Sequence, residues 1–124
     1  MKFNSQICTT KIQSERLVAL GLKKETADMM YCKTAYGESI TIKDDDYLEH
    51  LDFPAWSLHR LIELCGIERL PIYFGKKGRV RIRVSHIHPT HDGRSGYNHY
   101  DSLIDCIEWL IGEGYFNKEY LERI

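Results

Sequence analysis

The stretch "LPIYFGKKGRVRIRV", Leu70–Val84, decides the fold. Two short runs of β-branched and aromatic residues flank Gly75–Gly78, a four-residue polar turn. Such a turn is too short for a crossover, so the runs read as an antiparallel hairpin. A second hairpin precedes it. Met29–Cys32 reads as a strand, Gly37 supplies a turn, and Ser39–Lys43 alternates polar and apolar as a half-buried strand does.

Helical patterns surround these strands. Lys11–Leu20 is the first: Thr10 caps it, Gln13 completes a capping box and Gly21 stops it. Leu17, Val18 and Leu20 form its buried side. Lys23–Ala27 makes one short turn. Pro54 suits the first position of a second helix, "PAWSLHRLIELCG", with Leu58, Leu61, Ile62 and Cys65 on one face. Asp101 is the expected cap of a third helix, "SLIDCIEWLIGEG", in which Leu103, Ile104, Ile107, Leu110 and Ile111 form the apolar face. Asn117 caps a last turn. The expectation is an α+β domain: a small, mostly antiparallel sheet with about three helices packed on one face.

The chain has 124 residues, which sets one globular domain over residues 1–124. Its apolar fraction of 43% and charged fraction of 28% exclude a disordered chain. A net charge of −1 gives no global attraction to nucleic acid or membrane. No run is apolar enough to span a bilayer, and the N-terminus lacks a signal-peptide centre, so the expected location is cytoplasmic. Cys8, Cys32, Cys65 and Cys106 form no Cys-x-x-Cys pair and read as free thiols.

Three segments carry a family resemblance: "RLVALGLKKETADMMY" (Arg16–Tyr31), "PAWSLHRLIEL" (Pro54–Leu64) and "LIDCIEWLIGEGY" (Leu103–Tyr115). Together they resemble small uncharacterised proteins of Bacteroides-type bacteria and their prophages or mobile elements. The resemblance implies a cytoplasmic accessory protein of mobile DNA. It brings no catalytic residues.

Candidate sites follow from the hairpin. Alternation sends Val80, Ile82 and Val84 to the core and Arg79, Arg81 and Arg83 outward, beside Lys76 and Lys77. Guanidinium suits phosphate and carboxylate alike, so this row is a candidate for an anionic partner, nucleic acid included. The chain has its own acids: Glu38–Asp52 holds six against one lysine, with Asp44–Asp46 consecutive. Internal pairing between that segment and the arginine row accounts for both.

After the arginines come His86, His88 and His91. On a continued strand the first two share a side, and with Asp92 or His99 they make a candidate metal site. The plainer reading ends the strand near Val84 or Ser85 and makes "HIHPTHDGRSGYNHY" a polar loop, which is the reading preferred. "HIHPTHD" departs from the metallo-β-lactamase signature, because its aspartate follows the third histidine.

No phosphate loop, Gly-x-Ser-x-Gly elbow or EF-hand spacing occurs. Nothing calls for a cofactor. Trp109, Tyr115 and Tyr120 are candidate protein-interface residues, since such rings anchor interfaces. The expected function is therefore binding of a protein partner by a non-enzymatic accessory protein. Nucleic-acid binding through Lys76–Arg83 and metal binding through the histidines are the alternatives.

Overall fold

The computed structural model describes residues 6–35, 37–42, 53–66, 72–74, 80–83, 90–93 and 98–122. Helix α1 spans Lys11–Ala19, and its capping box forms as the sequence predicts. Thr10 Oγ1 accepts the Gln13 N–H at 3.1 Å, and Gln13 Oε1 accepts the Thr10 N–H at 3.0 Å. Gly21 ends the helix at φ +102°, a conformation that a Cβ strains. The C-terminal segment seals this end. Leu121 bridges to Leu22, and the Glu122 N–H donates to the Gly21 carbonyl at 2.7 Å.

After a 3₁₀ turn at Lys24–Thr26, strands β1 (Met29–Thr34) and β2 (Gly37–Ile42) pair antiparallel. β2 is exposed along its whole length, where half-burial was expected. Alternation reports which residues share a face, not whether another element covers that face.

Strand β3, Phe53–Ala55, pairs with the other edge of β1 and completes the order β2-β1-β3. Pro54 therefore lies in a strand, opposite Met30, and not in the first turn of a helix. Proline is tolerated on an edge strand because it owes the ladder no N–H there. Helix α2 begins four residues later and spans Leu58–Cys65. Ser57 Oγ accepts the Arg60 N–H at 3.1 Å, and Asp28 holds that cap from outside, accepting from Ser57 N–H at 2.8 Å and from its hydroxyl at 2.5 Å. A carboxylate there also complements the helix dipole. Gly66 closes α2 at φ +79°.

The second sheet has the order β4-β5-β6, from Ile72–Phe74, Val80–Arg83 and Thr90–Gly93, all antiparallel. The β4–β5 hairpin is the expected one. β6 is a correction: Thr90–Gly93 lies within the stretch read as a polar loop. Helix α3 spans His99–Glu113, with Asn98 as cap instead of Asp101. Asn98 Oδ1 accepts the Asp101 N–H at 3.0 Å, which places His99 and Tyr100 in the helix.

The result is an α+β domain. α3 is its centre, packed on α1, α2, β5 and β6. Leu103, Ile104, Ile107 and Leu110 are buried as expected, against Leu17, Trp56, Leu61, Leu64 and Val80. Each such side chain contributes about 1.5–3 kcal/mol.

Candidate functional site

Among the described residues, a connected polar region lies where residues 6–14 meet β1, Trp56 and the first turn of α3. Thr9 is fully buried. Its N–H donates to the Trp56 carbonyl at 2.8 Å, its Oγ1 accepts the Trp56 N–H at 3.0 Å, and that hydroxyl pairs with Ser14 Oγ at 2.7 Å. Gln13 Nε2 donates to Asp101 Oδ1 at 2.7 Å, while its Oε1 accepts from Gln6 at 2.8 Å. Two tyrosines clamp the crossing segment. The Tyr31 hydroxyl donates to the Thr9 carbonyl at 2.7 Å, and the Tyr100 hydroxyl donates to the Gln6 carbonyl at 3.1 Å.

Burial pushes the Tyr31 and Tyr100 hydroxyls and the Cys8 thiol above their ordinary ranges. The Cys8 thiol, 3.7 Å from Tyr31 Oη, is favoured in its neutral form. A nucleophilic cysteine needs the opposite shift. This junction is a scaffold that fixes one segment to three elements.

All four cysteines are free thiols, with Cys8, Cys65 and Cys106 buried. Burial pushes Cys65 strongly up, and neighbouring Cys106 adds to the shift.

The predicted anionic-partner row is seen only in part. Lys76, Lys77 and Arg79 lie outside the described residues, as does Asp44–Asp46. In β5, Val80 is buried and Arg81 exposed, as alternation requires. Arg83 ends the same strand. The acid that the register places opposite Arg81 is Asp92. The pairing is not legible in the sequence, because the turn-formers around Asp92 read as a loop.

Of the histidine set, His86 and His88 lie outside the described residues. His91 occupies β6 opposite Ile82, and His99 opens α3, its ring 4.9 Å from Phe74 and edge-on to it. Among the described residues, no three His, Cys, Asp or Glu side chains converge to hold a metal.

The aromatic candidates divide. Tyr115 is 42% exposed, and its ring centroid lies 6.0 Å from that of half-buried Trp109. Tyr120 packs instead on buried Phe116, at 6.0 Å. Missed altogether were the exposed apolar residues Ile7, Ile12, Ile40 and Ile42, of which Ile12 lies on α1 and Ile40 and Ile42 on β2, the two elements joined by the Lys11–Glu38 ion pair. The Lys11 ammonium also lies 5.8 Å from the Tyr31 ring centroid. The signal available was "SITI", an alternating run with no charge.

Comparison with protein-family models, curated proteins and solved structures finds no match. Among the described residues, no helix is long and apolar enough to cross a membrane.

Proposed function

We propose that this chain is a cytoplasmic, non-enzymatic accessory or regulatory protein of mobile-element type that binds a protein partner, as an adaptor or inhibitor of host or phage machinery. The observation that carries the reading is the Trp109–Tyr115 pair at the end of α3. An exposed tyrosine tilted against a half-buried tryptophan offers rigid contact area at small entropic cost, as interface anchors do. The resemblance read from the three sequence segments supplies the mobile-element part. The upward shift of the Cys8 thiol is the opposite of what a nucleophilic cysteine needs, which fits the non-enzymatic part.

Affinity capture from a lysate of a native bacterial host tests this. Wild type is expected to retain a specific protein that Tyr115→Glu and Trp109→Ala lose. Identical capture by wild type and both variants overturns the assignment to this surface.

A further inference from the structure

β2 lies at the edge of its sheet, and all six of its residues are exposed. Thr34 pairs with Gly37, so the β1–β2 connection is two residues long. Antiparallel hydrogen bonding alternates from that closing pair. Gly37, Ser39 and Thr41 thus bond toward β1, while the backbone groups of Glu38, Ile40 and Ile42 point to the outer edge. The side chains of these same three residues share one face of the sheet. Ile40 is 39% exposed and Ile42 71%.

We propose that β2 pairs antiparallel with β2 of a second copy of this chain, about a two-fold axis at Ile40. Monomeric proteins protect edge strands with charge, proline or a bulge. The run Ile40–Thr41–Ile42 has none of these and consists of residues with high strand propensity. The strand is also complementary to itself. Centring on Ile40 sets Ile40 opposite Ile40 and Glu38 opposite Ile42, so the diagonals join four isoleucines in one stripe. On the other face Ser39 meets Thr41, a favourable cross-strand pair.

Charge permits this register. Glu38 is the one charged residue of β2, and Lys11 of its own chain holds it, so neither copy brings a bare carboxylate to the seam. A Lys11–Glu38 pair then closes each end of the stripe. The area is modest: a six-residue edge buries less than the roughly 1,200 Å² of a standard interface, which makes this a weak, concentration-dependent dimer.

Sedimentation velocity of the full chain over about 1–500 µM tests the pairing at the concentrations a weak interface requires. The weight-average mass is expected to rise toward that of two chains. Ile40→Pro removes an outward N–H while also fixing its own φ and restricting Ser39, and Ile42→Lys puts a charge into the seam. Each is expected to move the association midpoint up by about tenfold or more, with thermal melting unchanged for Ile42→Lys. Tyr115→Glu is expected to associate as wild type does. A wild-type chain that stays at the mass of one chain throughout overturns the proposal, whether or not the edge takes a strand from another protein. So does a folded Ile42→Lys variant that associates like wild type, and this variant decides the matter if Ile40→Pro does not fold.

Discussion

The side-chain amide of Gln13, in the first turn of α1, donates to the Asp101 carboxylate in the first turn of α3, at 2.7 Å and across 88 residues of sequence. That amide works on both sides, because its oxygen caps α1 and also receives Gln6. Gln13→Glu keeps the acceptor and replaces the donor with a carboxylate facing Asp101. We expect a loss of about 1–2 kcal/mol at pH 7 in urea unfolding. The deficit should shrink as pH falls toward about 4.3, because the facing carboxylate makes the introduced carboxyl take its proton above that unfolded value and donate again. A deficit constant from pH 7 to pH 4 would show that the contact does not matter.

Thr9 gives a sharper test of the same region. Thr9→Val keeps the shape but leaves the Trp56 N–H without its acceptor and the Ser14 hydroxyl without its partner. Each orphaned group costs about 1–3 kcal/mol, so the combined loss should be about 2–4 kcal/mol. Thr9→Ser, which keeps the oxygen, should lose less than half of that. Equal losses in the two variants would refute the hydrogen-bond account.

Alkaline pH should unfold the protein early. Cys8, Cys65, Tyr31 and Tyr100 all have folded pKa values raised by burial. A raised folded pKa means that the unfolded chain gives up its proton first. Stability is therefore full below the unfolded values, 9.0 for the thiols and 10.0 for the phenols, and falls as pH climbs past them. Thermal melts from pH 7 to 11 should show the midpoint dropping from about pH 9. Cys65→Ala should flatten the first part of that limb, although it lowers the midpoint at pH 7 by opening a small cavity.

Arg81 bears on the nucleic-acid alternative. Its register partner on β6 is Asp92, an acidic residue, and the chain as a whole carries a net charge of −1. Labelled DNA and RNA at low salt should show no anisotropy change with tens of micromolar protein. Binding that weakens steeply with salt, and that Arg81→Glu abolishes, would reverse this expectation.

Local signals were the legible part of the fold. The Thr10–Gln13 capping box, the stop at Gly66 and the buried face of α3 each depend on residues within a few positions of one another. Failures came where one residue type serves two local structures. Pro54 fits a helix start and an edge strand equally, and only pairing with Met30 decides between them. Asn98 and Asp101 are both good caps, and the chain uses the earlier one. The candidate sites were less legible. The junction at Gln13 and the Arg81–Asp92 register depend on pairings between separate elements. Exposure of Ile40 and Ile42 depends on what does not pack against them, and periodicity carries no record of that.

The two tryptophans occupy contrasting environments. Trp56 is wholly enclosed, with Nε1 donating to Thr26 Oγ1 at 3.0 Å, while Trp109 sits half-covered beside Tyr115. The protein thus carries two built-in optical reporters, an interior one and a peripheral one. Acrylamide should quench the redder Trp109 emission and spare that of Trp56, so one fluorescence titration can separate events at the end of α3 from loosening of the core.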